Sequence, residues 1–152
     1  MATVPRTVID DFLAQKRLAL VGVSHEPDKG FGNAVRKELS GKGYELVIVH
    51  PTAASIGGAR CVRSLAEAGT VDGVVLVTPP AETEKLVREA ADLGIRRVWM
   101  QQGAESDAAI RTCEERGLEV VHHECVLMFA EPAAFFHRAH RWVRGVTGAL
   151  PH

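Results

Sequence analysis

The chain has 152 residues, 46% hydrophobic and 24% charged, a composition that supports one folded domain and excludes a disordered chain. Lys and Arg (18) nearly cancel Asp and Glu (19), and the formal charge of -1 leaves no bulk field to draw the molecule to nucleic acid or membrane. No apolar run approaches the roughly 20 residues of a membrane span, and Met1 to Asp11 carries acid where a signal peptide would be apolar.

In chain order, a short helix comes first, with Thr7 and Asp10 as its expected capping pair and Val8, Ile9, Phe12 and Leu13 on one face. Leu18 to Val23 is a continuous apolar run that suits a strand buried on both faces. After the loop Ser24 to Gly32, a helix is predicted to begin near Asn33, to bury Ala34, Val35 and Leu39, and to end at Gly41 or Gly43. Tyr44 to Val49 is the second strand, closed by His50 and Pro51. Asp72 to Val77 is the third, closed by Thr78, Pro79 and Pro80. A helix over Ala81 to Leu93, a strand over Arg97 to Gln101, a helix over Glu105 to Arg116 and a fifth strand over Leu118 to His122 follow. A last helix covers Pro132 to Arg144, within a C-terminal helical extension of 130–148 attached to a single domain of 1–152.

This alternation predicts an α/β fold: one doubly wound, five-stranded parallel sheet in the order 3-2-1-4-5, with helices on both faces. Ligands of such sheets sit beyond the carboxyl ends of the strands, at the point where strand order reverses. Gly22 to Asn33, His50 with Pro51, Val77 to Pro80 and Gln101 to Gly103 are therefore expected around one crevice.

The loop after the first strand carries the clearest chemistry. Gly22 allows close backbone approach, and Gly30 and Gly32, flanking Phe31, free backbone amides just before a helix, which is a ready anion site. Lys29 adds charge and Ser24 a hydroxyl donor, so a phosphate-bearing ligand is the functional reading. The pattern is not the NAD fingerprint, because Gly22 is followed by Val23 and Ser24 and the next glycine is Gly30. An acid normally clamps the ribose at the end of the second strand; His50 stands there instead. NADP is not favoured either, since the nearest downstream arginine, Arg60, is well past the strand end.

These residues bring the chain to a recognisable pattern. It resembles the stand-alone CoA-binding domain family, whose Rossmann-like fold is related to the CoA-binding domain of succinyl-CoA synthetase alpha subunits. The matching pieces are Ala19 to Ser24, the Pro27 to Asn33 loop, Val49-His-Pro51, Ile56 to Gly58, Ser64-Leu65, Val71-Asp72, Arg97 to Gln101 with Gly103, and Cys125. They span about Phe12 to Met128. The resemblance implies that the pyrophosphate of coenzyme A lies on Gly22, Val23 and Ser24 and on the helix start at Gly32, Asn33 and Ala34, with Lys29 as a phosphate contact. It places adenine and ribose near Val49, His50, Pro51 and Thr52, with Val77, Thr78 and Pro79 lining the same crevice. Two departures lower the charge available to a polyphosphate: the family often has Asn-Pro-Lys where this chain has His50-Pro51-Thr52, and a basic pair where it has Thr78-Pro79-Pro80.

Other candidates have plainer readings. His122-His-Glu-Cys125 resembles a metal cluster on paper, yet neighbours on a strand point to opposite faces, so no metal site is expected. Cys125 follows the fifth strand toward the crevice, and a buried structural thiol is its first reading. Cys61, Cys113 and Cys125 are odd in number and scattered, which argues against a disulfide framework and for a reducing cytoplasm. The last helix carries Phe135, Ala139, Trp142 and Val143 on an apolar stripe, with His137, His140 and three arginines beside it. It is expected to pack on the sheet, a second subunit or a partner protein. No Ser-His-Asp or Cys-His arrangement is established, and none of Asp72, Glu82, Glu84 and Glu124 is singled out as a catalytic acid.

The expectation is a module that binds coenzyme A or an acyl-CoA, without catalysis of its own. The alternatives are a minimal NAD(P)-dependent oxidoreductase and an interaction module with a relic nucleotide pocket. A ligase reaction is not expected, since in succinyl-CoA synthetases that machinery lies outside the CoA-binding domain.

Overall fold

The computed structural model describes residues 4–128; the last helix, with His137 and His140, lies outside them. Four helices, α1 (Arg6–Leu13), α2 (Phe31–Gly41), α3 (Pro80–Asp92) and α4 (Asp107–Glu115), alternate with seven strands. The strands are β1 (Arg17–Val21), β2 (Glu45–Val49), β3 (Ser55–Ile56), β4 (Ala59–Val62), β5 (Gly73–Leu76), β6 (Arg97–Gln101) and β7 (Glu119–Glu124). Short 3-10 turns cover Leu65–Ala68 and Val126–Met128.

The strands form one sheet in the order β3-β4-β2-β1-β5-β6-β7, parallel except for the β3–β4 hairpin. The fold is thus mixed α/β and Rossmann-like, as expected, but the strand order differs from expectation. The segment over Asp72 to Val77 lies against β1, with Leu20 opposite Val75, and not at the far edge beyond β2. Beyond β2 runs β4, which the sequence reading passed over. Only Val62 of its four residues is buried, so it carries no continuous apolar run to betray it. With β4 in third place, the chain crosses over β1 to place β5 on its other side, and the order reverses between β1 and β5.

Side chains on the two faces of the sheet build two cores. One joins Ile9 and Phe12 of α1 and Val35 and Leu39 of α2 to Leu18, Leu20, Ile48, Val75 and Trp99. The other joins Val87 and Ala90 of α3 and Ala109 and Cys113 of α4 to Ala19, Val47, Val74, Val98 and Met100. The period-2 alternation of strand side chains requires this division, and strands apolar at every position supply both layers.

Two local expectations are corrected. Thr7 does not cap α1: Pro5 precedes the helix, and its carbonyl accepts from the amides of Val8 and Ile9. A proline suits this place because it needs no amide hydrogen. Alternation also fails at His122 and His123. Between the pairs Trp99–Val121 and Gln101–Glu124, β7 uses one residue more than β6, and His123 takes a left-handed φ of 60°. This bulge turns the two rings toward each other, with 2.7 Å between their Nδ1 atoms. Among the described residues, no group of three His, Cys, Asp or Glu side chains is placed to hold a metal ion. No helix among them is long and apolar enough to cross a membrane.

Candidate functional site

At the reversal point the backbones of β1 and β5 leave the sheet side by side. The amide of Val77 donates to the carbonyl of Val21 at 2.9 Å. Gly22 follows with φ 102°, and a Cβ there would lie 2.0 Å from the Val77 carbonyl oxygen. Only glycine fits this close approach. A Cβ on Gly32 would in turn lie 2.4 Å from the carbonyl oxygen of Gly22. The first turn of α2 is thus pressed against the end of β1, and no side chain caps that helix. Its leading amides stay available, with the positive end of the helix dipole behind them.

Asn33 organises the loop between them. It is 1% exposed, and its Nδ2 donates to the carbonyls of Ser24 (3.0 Å), Glu26 (2.8 Å) and Lys29 (2.8 Å). Its Oδ1 accepts from Nε of Arg36 at 2.8 Å. In a trans peptide the carbonyl and the next amide point in opposite directions. With the Ser24 and Lys29 carbonyls turned toward Asn33, the amides of His25 and Gly30 face away from it. The Ser24 hydroxyl oxygen accepts from the amide of Glu26 at 3.2 Å, which closes a local turn. Lys29 is exposed and ion-pairs with Glu26 at 2.6 Å, so its charge is shared within the loop. Phe31, at the first position of α2, is 48% exposed, one of only two large apolar side chains so exposed among the described residues.

On the β2 side, Nδ1 of His50 accepts from the amides of Thr52 (3.1 Å) and Ala53 (3.0 Å). The acceptor role assigns the ring hydrogen of the neutral imidazole to Nε2. The rings of His25 and His50 stand edge to face, 6.3 Å between centroids, bridging the loop after β1 to the loop after β2. Pro51 and Thr52 are exposed. Val23 and Val49 are buried in opposite cores, so only their backbones face outward. Ala34, expected on the buried side of α2, is exposed, while Val35 and Leu39 are buried.

On the β5 side, Val77 is half-buried and Pro79 exposed. Thr78 is buried, and its hydroxyl lies 2.7 Å from that of Thr83, which itself donates to the carbonyl of Pro79 at 3.2 Å. The Thr78 proton is therefore used inside the protein, fastening the start of α3 to the end of β5.

Gln101 and Gly103 stand further out, because β5 separates β6 from β1. Gln101 is 2% exposed and its Oε1 accepts from the amide of Val126 at 3.0 Å. The Gly103 amide donates to the Glu105 carboxylate. Cys125 is half-buried beside this turn. Cys113, deep under α4, is pushed up to about 12 by burial and then by Glu114, and Cys61 is raised by its own partial burial. All three cysteines are free.

Two residues of the site escaped the sequence reading, Arg36 and Gly57. The spacing of Asn33 and Arg36, three apart on one helical face, was the available signal for the first. Gly57 stood only within the Ile56 to Gly58 piece that carries the family resemblance, with no role assigned to it.

The chain is 30% identical over 112 residues to the uncharacterized protein YneT of Bacillus subtilis, covering 73% of this chain and 82% of that protein. A conserved hypothetical protein from Pyrococcus furiosus has a similar structure, with TM-score 0.68, 38% identity, and coverage of 73% of this chain and 96% of that one. The fold also recurs in a dinucleotide-forming acetyl-coenzyme A synthetase of Candidatus Korarchaeum cryptofilum, in complex with phosphate and ADP. The TM-score there is 0.61 at 21% identity, over 74% of this chain and 26% of the synthetase. The model of the CoA binding domain matches residues 16–131, from the start of β1 past the end of β7, and the chain belongs to that family.

Proposed function

We propose that this protein binds coenzyme A, free or acylated, in the crevice where β1 and β5 diverge, and that binding is its activity. The family supports CoA as the ligand class. The observation that carries the reading is the loop held by Asn33. It turns carbonyls inward, amides outward, and sets them at the uncapped start of α2. Backbone donors on a helix start form the kind of cradle a pyrophosphate needs. Gly22 and Gly32 let the ends of β1 and β5 and the start of α2 pack backbone to backbone, which gathers these donors at one place, and the residues present fit the group.

In this reading the pyrophosphate lies on Gly22 to Ser24 and Gly30 to Ala34. Adenine and ribose lie along Val49 to Thr52, where Nε2 of His50 offers a donor, and Thr78 and Pro79 form the opposite wall. The side chains of Ser24, Asn33, His50 and Thr78 are all engaged in holding backbone or a neighbouring hydroxyl. That suits a rigid binding site better than a catalytic one. Three free cysteines suit a reducing compartment such as the cytoplasm.

Isothermal titration with CoA, acetyl-CoA, NAD and NADP tests the reading. CoA and acetyl-CoA are expected to bind at least tenfold more tightly than either dinucleotide. Absence of CoA binding at millimolar ligand sinks the proposal, and preference for NAD or NADP replaces it with the oxidoreductase alternative.

A further inference from the structure

Arg36 is buried, 5% exposed, one turn along α2 from Asn33. Its guanidinium is met only by neutral acceptors: Nε donates to Oδ1 of Asn33 at 2.8 Å, Nη2 to the Pro27 carbonyl at 3.1 Å, and Nη1 to the Gly57 carbonyl at 3.5 Å. Among the described residues no carboxylate oxygen lies within 4.0 Å of it. Asp28, which shares the loop, pairs instead with Lys37 at 2.8 Å and is almost fully exposed. The turn between β3 and β4 is shaped to admit the guanidinium. Gly57 has φ 54°, and a Cβ on it would lie 2.3 Å from Nη1.

Two consequences follow from elementary chemistry. By donating to Oδ1, Arg36 fixes which way the Asn33 amide faces, so that Nδ2 and not Oδ1 meets the three loop carbonyls. A buried cation with no carboxylate in contact, felt by Asp28 only at a distance, also keeps much of its field, because little solvent screens it. The loop where an anion would bind lies beside that cation, in a molecule with a formal charge of -1 and with uncharged Thr52 and Thr78 at two rim positions.

We propose that Arg36 is the positioning residue of the crevice. Acting through Asn33, it holds the Ser24–Lys29 backbone in its anion-binding form. Its charge, contacted only by neutral acceptors, supplies attraction for a polyphosphate that the rim does not. The second half of this inference rests on the CoA reading above; the first half does not.

The test compares the wild type with Arg36→Met and Arg36→Lys in two measurements. The first is amide hydrogen exchange across residues 24–33 without ligand. The second is CoA titration at low and high salt. Arg36→Met is expected to speed exchange of the Glu26 and Lys29 amides, which donate to the Ser24 hydroxyl oxygen and the Glu26 carbonyl, at least tenfold, to weaken CoA binding at least tenfold, and to flatten its salt dependence. Arg36→Lys keeps the charge but not the planar fork. It is expected to restore the salt dependence while leaving the loop exchanging fast. Wild-type loop exchange in Arg36→Met overturns the positioning role. CoA affinity within twofold of wild type with unchanged salt dependence overturns the electrostatic role. If Arg36→Met does not fold, Gly57→Ala crowds the guanidinium without removing it. The same loss of loop protection is then expected, and wild-type protection refutes the inference. Failure of the wild type to bind CoA refutes the ligand reading, while the exchange measurement still decides whether Arg36 positions the loop.

Discussion

Asn33 shows how much one side chain can organise. It stands at the foot of a glycine-rich loop, and the sequence marks it as a helix-start residue near a phosphate site. Its hydrogen bonds make it the point on which three carbonyls converge. Lys29, the side chain with the most evident role in the sequence, is drawn to Glu26. Charge advertises itself in a sequence, whereas a neutral amide's role depends on what surrounds it. The same scale holds a pH effect at His122, which is held below its ordinary value first by burial and then by His123, with Glu105 and Glu114 opposing. The folded protein thus resists a proton that the unfolded chain accepts below about pH 6.5. Its contribution to stability is complete above that pH and is lost as pH falls toward the lowered folded value. Between pH 7.5 and 5.5 the unfolding midpoint of the wild type is expected to drop further than that of His122→Asn. Equal drops in thermal melts of the two proteins would refute this.

Among the elements, β6 is well written in the sequence and deeply held. Its five residues were predicted without error, since Val98, Trp99 and Met100 are all fully buried and read as a continuous apolar run. Trp99 meets the Phe12 ring edge to face at 5.4 Å, and its Nε1 donates to the Glu124 carbonyl at 3.1 Å. Trp99→Ala is expected to cost about 3–5 kcal/mol, through lost burial and the cavity left behind. Urea denaturation measures this, and a loss below about 1 kcal/mol would show that the core closes over the gap. The short strand β4 is the opposite case. It has a single buried residue, and its pairing with Val49 and Ile48 is decided by β2 and not by its own composition. The bulge at His123 was equally hidden, because a left-handed histidine has no sequence signature of its own.

For the molecule as a whole, a near-zero net charge means that anion binding must be a local property. Ligand bound to the folded state alone stabilises it by mass action. CoA at a hundred times its dissociation constant is expected to add about 2.7 kcal/mol. Calorimetry would read this as a rise in melting temperature on the order of 10 °C, diminished by added salt. NAD at the same concentration is expected to raise it by no more than about half as much. A rise with NAD and none with CoA would overturn the assignment of the crevice.

The amino-acid sequence by itself determined the alternation of strands and helices, the five strands that carry apolar runs and the glycine loop. These depend on local periodicity, on runs of apolar residues and on the steric freedom of glycine, all properties of short segments. Only the tertiary structure decided that β5, and not β6, stands beside β1, because that order turns on β4, a four-residue strand with almost no apolar signal. It alone brought Val77 against Gly22, committed Gln101 to Val126, and turned Arg36 inward beneath the loop. Each of these is a contact between distant segments, and its geometry exists only once the sheet is assembled.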